Sequence, residues 1–342
     1  MLTEGQQAAL DAVAEHGTIQ AAAAALGFNE RSFRRTLKRA KAAKSGKQPE
    51  RQFTALPSPD GELSYQELVE YRCRVYQRKA AQKKAQEWRP VKFKTAEPTG
   101  IVVIGDPHVD DDGCDWPQLR ADTDTIVSTP GLFAGSIGDN TNNWIGRLQR
   151  LYANQSTTAS QAWRLCEGWL NELIEPGKLL FLVRGNHDMW SGAGDPHNWI
   201  MRGSGAVDQD WQAQMSLEWP GCSSVRLWAA HDFKGHSQYN PLHAHKKKHL
   251  WHGGQADVYI AGHRHHWALA QEEDEAGKLV WFCRARGYKA IDSYADLLGH
   301  RGQDYGASIT IICNPAATGP TRIQCFANVQ EAAEYLTWLR SR

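Results

Sequence analysis

The chain has 342 residues, 41% of them hydrophobic and 23% charged, which is more than one ordinary domain and excludes a disordered chain. No run reaches the ~18 consecutive apolar residues of a membrane helix, and the opening MLTEGQQAAL lacks the basic start and apolar stretch of a secretory signal. The net charge of +1 conceals two opposed regions. Residues 1–95 hold 18 Lys/Arg against 10 Asp/Glu, a net +8, and the remaining 247 hold 21 against 28, a net −7.

Three short helices are predicted in residues 1–45. Thr3 and Gln6 form a capping box for the first, which runs to His16 and stops at Gly17. Thr18 opens a second, IQAAAAAL, ended by Gly27, and Asn29 caps a third, ERSFRRTLKRAKAAK. Leu10, Val13, Ile19, Ala22, Ala23, Leu26, Phe33 and Leu37 are spaced to bury one face of each. A short helix, a Gly-containing turn and a longer basic helix make a helix-turn-helix pattern, so residues 1–45 are read as a DNA-binding domain. Arg31, Ser32 and Arg35 stand early in the third helix, placed for base edges. Arg34, Lys38 and Arg39 add charge for phosphates.

Residues 46–98 are read as a linker and a basic helix. The stretch 45–63 is rich in Gly, Pro and Ser. Ser64 and Glu67 then cap a long polar helix expected to lean on the next domain along one side. From residue 99 to 342 short apolar runs end in polar clusters. Ile101–Ile104 leads into GDPHVD, Leu132–Ile137 into GDN, Leu179–Val183 into RGNHD, Val225–Ala230 into HDFKGHS and Val258–Ala261 into GHRHH. Helical stretches are expected near 153–175, 205–218 and 241–252, and closing strands with a last helix in 272–342. Strands buried on both faces with polar residues at their carboxyl ends describe an α/β body with its site at those ends.

Five strand ends supply Asp106, His108, Asp139, Asn186, His187, His231, His263 and His265. Carboxylate, imidazole and amide donors suit a borderline divalent ion such as Mn²⁺, Fe or Zn²⁺ more than an all-oxygen calcium cage. They are too many for one tetrahedral site and enough for two ions about 3.5–4 Å apart. His236 follows His231 closely and is an alternative donor for the fourth block. The seven cysteines are scattered, odd in number and never in a C-x-x-C pair, which points to a reducing, cytoplasmic setting rather than a disulfide or zinc framework.

Asp-x-His, Gly-Asp-Asn, Gly-Asn-His-Asp, a strand-end His and Gly-His-x-His, in that order over residues 99–270, closely resemble the calcineurin-like metallophosphoesterases. The resemblance implies an α/β fold, a β-sandwich flanked by helices. It implies one ion held by Asp106, His108, Asp139 and His265, and another by Asp139, Asn186, His231 and His263, with Asp139 bridging. It further implies attack by a metal-bridged hydroxide, with His187 over the site and Asp188 orienting its imidazole. GDNTNNWIG lacks the Arg of the protein Ser/Thr phosphatase branch and has Asn142 in place of its second Asp, which favours phosphodiesterases and nucleases. The long HDFKGHSQYNPLHAHKKKH run is similar to phage- and prophage-encoded members with an N-terminal helix-turn-helix.

His243, His245, His249 and His252 share a predicted helix with Lys246–Lys248 and are read as a solvated basic face. Trp144, Trp190 and Trp267 adjoin the motifs and are candidates for stacking on bases. The reading that results is a soluble, dinuclear-metal nuclease or phosphodiesterase whose basic N-terminal region delivers it to nucleic acid, DNA first, with no membrane partner. The rival readings are a phosphomonoesterase or cyclic-nucleotide phosphodiesterase, and a DNA-binding phage adaptor with a vestigial catalytic body.

Overall fold

A computed structural model describes residues 2–45, 63–291 and 306–342. The predicted linker therefore falls almost entirely outside the described residues. The chain forms two compact units, Met1–Arg74 and Val75–Arg342.

The first unit contains three helices with the expected caps: α1 (Glu4–His16), α2 (Ile19–Ala25) and α3 (Glu30–Lys44). Thr3 and Gln6 close their capping box, Gly17 turns left-handed at φ 68°, and the Asn29 side chain accepts from the Ser32 N–H. The helices meet around Ala9, Ala12, Ala22, Ala23, Phe33 and Leu37. The small alanines let α1 and α2 approach closely, and Phe33 fills the space α3 leaves. On the outer side of α3, Arg31, Ser32, Arg34, Arg35, Lys38 and Arg39 remain solvent-facing. Arg34 is not free, because it pairs with Glu30 at 2.5 Å. A further helix, α4 (Tyr65–Ala85), opens on the Ser64–Glu67 box as expected. None of its residues is buried, in keeping with its polar sequence.

In the second unit two six-stranded mixed sheets face each other. One has the order β12-β11-β2-β3-β4-β5, from β2 (Thr99–Ile104), β3 (Leu132–Ser136), β4 (Leu179–Arg184), β5 (Val207–Asp210), β11 (Ser308–Cys313) and β12 (Ile323–Phe326). The other has the order β1-β6-β7-β8-β10-β9, from β1 (Arg89–Lys92), β6 (Gln212–Glu218), β7 (Val225–Ala230), β8 (Val258–Ala261), β9 (Ala268–Glu273) and β10 (Leu279–Arg284). Side chains alternate across each strand. Ile101 and Val103 of β2 meet Leu227, Ala229 and Ile260 of the other sheet in the central core. Val102 and Ile104 turn outward to a second core with α5 (Trp116–Ser128), α6 (Ala159–Ile174) and the last helix, Val329–Arg340. Trp228, Ala230, Tyr259 and Phe282 line a third core on the outer face of the other sheet, beside the helix His243–Trp251. Burial on both faces is why these strands read as continuous apolar runs. The result is the expected α/β body, two mixed sheets flanked by helices.

Three expectations are corrected. Residues 205–218 are not helical but form β5 and β6, where Ala213, Met215 and Leu217 alternate inward at the period of a strand. The sheets begin before residue 99, since β1 pairs in parallel with β6 from Arg89↔Met215 to Lys92↔Glu218. The histidine-bearing helix is not a solvated basic face. His245 and His249 are buried, while Lys247 and Lys248 lie over Trp251 and Trp228 at 4.1 and 4.3 Å. No helix among the described residues is long and apolar enough to cross a membrane.

Candidate metal centre

Each donor block follows the carboxyl end of a strand. Asp106 and His108 come after β2, Asp139 after β3, Asn186 after β4, His231 directly after β7, and His263 and His265 after β8. The loops are zipped together by the backbone. Asp106 N–H donates to Gly138 O, and His108 N–H donates to Asp139 O, each at 3.1 Å. Glycines make this approach possible. A Cβ on Gly185 would collide with the Asp139 carboxylate, and one on Gly262 with that of Asp106. The glycines of Gly-Asn-His-Asp and Gly-His-x-His are thus steric requirements of the carboxylates beside them.

The backbone is held away from its preferred conformation at the donors themselves. Asp106, His108, Asp139, His263 and His265 have φ of 45°, 43°, 53°, 68° and 50°. Left-handed geometry costs a non-glycine residue about 1–2 kcal/mol. Five such residues forgo a sum comparable with the net stability of a whole domain, about 5–15 kcal/mol. Strain of this kind persists where the surrounding structure fixes it, and it concentrates at functional sites.

Three overlapping groups of donor atoms result, the atoms of each lying within 4.8 Å of one another: Asp106, Asp139, His231 and His263; Asp106, His108 and His265; and His108, Asp139 and His187. His231 donates from Nδ1 to the Ile137 carbonyl at 2.8 Å, which fixes its tautomer and turns Nε2 to the cluster. That Nε2 lies 3.0 Å from Asn186 Oδ1, 3.0 Å from His263 Nδ1 and 3.2 Å from Asp139 Oδ2. His236 is instead engaged with Asp232 at 2.8 Å, so His231 is the fourth-block residue brought to the cluster.

The donors fit a divalent cation. Asp106 Oδ1 and His108 Nδ1 are buried without a hydrogen-bond partner, and buried polar atoms are rarely left so. Burial, against the attraction of His231, pushes the Asp106 carboxyl up to about 8. Burial and the neighbouring His187 take His108 well below the usual imidazole range, and burial with His231 takes His263 down to about 4. These two imidazoles are therefore neutral, as ligands must be. Burial alone would also lower His231, but the Asp139 charge and hydrogen bond raise it to about 10. A proton and a cation thus compete for the Asp139–His231 pair.

His187 borders the cluster without sharing the fixed orientation expected from Asp188. Its Nδ1 donates to the Asn142 carbonyl at 2.5 Å, its N–H donates to Asp139 Oδ1 at 2.9 Å, and its Nε2 stands 3.9 Å from Asp139 Oδ2. Trp190 and Trp144 pack on the ring, with centroids at 4.2 and 5.1 Å. Trp267 is partly buried against the central core instead.

Asp188 lies at the end of a single helical turn that points it inward. Its Oδ2 accepts from the N–H groups of Asp139 and Gly185 at 2.8 and 2.9 Å, and its Oδ1 from Asn140 at 3.2 Å. It clasps the two loops that carry Asp139 and Asn186. Behind it lies His197, which sequence reading missed. His197 is fully buried, donates from Nδ1 to Asp195 at 2.8 Å, and places Nε2 3.7 Å from Asp188 Oδ1. Burial opposes a charge there, but Asp188 and the Asp195 hydrogen bond raise the His197 pKa well above the ordinary value. Arg184 pairs with Asp195 and Asp208 further out. Nothing in the spacing of these residues marked them as partners.

No protein-family model matches the sequence, and no curated protein does. Solved structures are similar only at a distance. An archaeal phosphodiesterase is 13% identical with a TM-score of 0.36, over 67% of this chain and 100% of that one. A Vps29 complexed with zinc from Entamoeba histolytica is 14% identical with a TM-score of 0.37, over 67% and 98%. The nuclease MPE of Pseudomonas putida is 14% identical with a TM-score of 0.31, over 66% and 87%. At this level the likenesses say nothing of what the chain binds or turns over.

Proposed function

We propose that this chain is a metal-dependent phosphoesterase of the calcineurin-like kind that cuts phosphodiester bonds in nucleic acid, DNA first. The observation that carries the reading is the convergence of three donor groups on shared carboxylates, with Asp106 Oδ1 and His108 Nδ1 buried without a hydrogen-bond partner. Asp106, His108, Asp139 and His265 would hold one ion, and Asp139, Asn186, His231 and His263 the other, Mn²⁺ being the first choice among Mn²⁺, Fe and Zn²⁺. Divalent ions bound there supply Lewis acidity toward the phosphoryl oxygens. With its Nδ1 proton on Asn142, His187 turns Nε2 toward the cluster and, as the imidazolium, would give its Nε2 proton to the leaving oxygen. Asp188 keeps the Asp139 and Asn186 loops in register without entering the chemistry.

In the first unit, Lys38 and Arg39 lie on the exposed side of α3 and would meet phosphates, with Arg31, Ser32 and Arg35 earlier in the helix for base edges. Arg34 contributes less because Glu30 already neutralises it. The test is purified protein with Mn²⁺ on labelled single-stranded DNA, duplex DNA, RNA and a generic phosphomonoester. Metal-dependent cleavage of a polynucleotide, abolished by chelation, is expected. Turnover of the monoester alone would replace the reading with a phosphatase, and DNA binding with no turnover would replace it with an adaptor.

A further inference from the structure

Between β5, the last strand of one sheet, and β6, near the edge of the other, the chain crosses in one residue, Trp211. The crossover sets φ at 51°, a geometry that favours glycine or asparagine and penalises a bulky ring. The ring is not there to fill the core either, since Trp211 is 49% exposed. Of the other exposed tryptophans, Trp251 and Trp338 are covered by cations, and among the described residues Trp199 makes no ring contact with the donor cluster. Lys247 lies over Trp251 at 4.1 Å and Arg342 over Trp338 at 3.9 Å, whereas among the described residues no Lys or Arg covers Trp211. What Trp211 does border is the donor cluster. Its ring centroid is 6.5 Å from that of His231, and its carbonyl accepts the His231 N–H at 2.9 Å. The Trp211 backbone is therefore tied to that of a cluster residue, and its half-exposed indole stands beside it.

We propose that Trp211 is the stacking surface for a nucleobase of the substrate, the one carried by the nucleotide next to the scissile phosphate. This rests on the phosphodiesterase reading and narrows its substrate to chains with unstacked bases, as in single strands or frayed ends. A base hangs one sugar away from its phosphate, so a phosphate at the donor cluster brings its neighbour to a ring that borders His231. Stacking on an indole is indifferent to base identity, because every base has a π-face. Trp190 and Trp144 are not equivalent surfaces, being packed on His187.

The test compares substrates that differ only in the base. For wild type, KM for a thymidine dinucleotide should be roughly 5- to 140-fold below that for the same diester with an abasic spacer, the range given by stacking of about 1–3 kcal/mol. In Trp211→Gly, which removes the ring and suits the left-handed backbone, that ratio should fall toward one. Trp211→Phe should restore part of it. A calorimetric titration of Mn²⁺-loaded protein with AMP and with ribose 5-phosphate supplies the same comparison without turnover. AMP should bind more tightly to wild type and lose that advantage in Trp211→Gly. A base-against-abasic ratio unchanged by Trp211→Gly would overturn the inference while leaving the phosphodiesterase reading intact. If neither diester is cleaved, that reading falls, and the titration alone decides: no preference for AMP in wild type, or one that survives in Trp211→Gly, overturns the stacking role.

Discussion

Replacing Asp188 by Asn tests whether the donor cluster is built by a carboxylate that holds no ion itself. Oδ2 accepts two backbone N–H groups and Oδ1 a third, all within the buried interior. An amide has one acceptor oxygen. If it takes the Oδ2 position, the Asn140 N–H meets an NH₂ group. If it takes the Oδ1 position, the Asp139 and Gly185 N–H groups do. At least one hydrogen bond to a charged group is lost, at about 1.5–3 kcal/mol, and a buried donor is left unsatisfied. His197 also loses one of its two carboxylate neighbours. Asp188→Asn should therefore destabilise the protein by about 2–4 kcal/mol, read from urea unfolding followed by tryptophan fluorescence. Groups that orient metal ligands from behind cost about 10–100-fold in affinity when removed, so the Mn²⁺ dissociation constant should rise by that factor at a temperature where the variant stays folded. Unfolding within about 0.5 kcal/mol of wild type, with unchanged Mn²⁺ affinity, would refute the clasp.

Further outcomes follow from the same geometry. His187→Asn should keep its metal and lose about 10²–10⁴ in turnover on esters with poor leaving groups, less on activated nitrophenyl esters. Loss of metal in that variant would instead make His187 a ligand, as its grouping with His108 and Asp139 allows. The raised pKa of His197 makes its contribution to stability complete below the unfolded value of about 6.5 and lost as pH rises through the folded value. Metal-free wild type should thus weaken from pH 7 to 9, by at most about 1.4 kcal/mol per pH unit from this group, and His197→Gln should flatten that slope in denaturation at several pH values. Replacing Lys38 and Arg39 with Ala should lower the log–log salt slope of duplex binding by roughly 1.8, at about 0.9 per phosphate. An unchanged slope, measured by anisotropy, would remove α3 from the nucleic-acid interface.

Much of the site was legible because strands buried on both faces announce themselves as apolar runs, and donors fall where those runs stop. The caps of α1–α3 were equally plain, since Thr3, Thr18 and Asn29 each carry a side chain that can accept a backbone N–H. Residues 205–218 misled because β6 alternates Ala213, Met215 and Leu217 with glutamines and serine, without the β-branched residues that mark a strand. β1 was missed for a related reason: RPVK is an exposed edge strand with a proline in it. Neither Asp188 nor Trp211 could be placed from sequence. The motif gives a residue's neighbours along the chain, while its role here depends on which way one helical turn or a one-residue crossover aims it.

The central claim is that the shared carboxylates hold ions that hydrolysis requires, and Asp139 stands in both proposed ion sites. The most direct measurement is to strip the protein with chelator and titrate back Mn²⁺. Bound metal and cleavage of a labelled dinucleotide are followed together, in wild type and Asp139→Asn. Cleavage should appear only as metal binds and saturate near about two ions per chain, with both signals lost in Asp139→Asn. Full cleavage before any metal is bound, or unchanged binding and cleavage in Asp139→Asn, would contradict it.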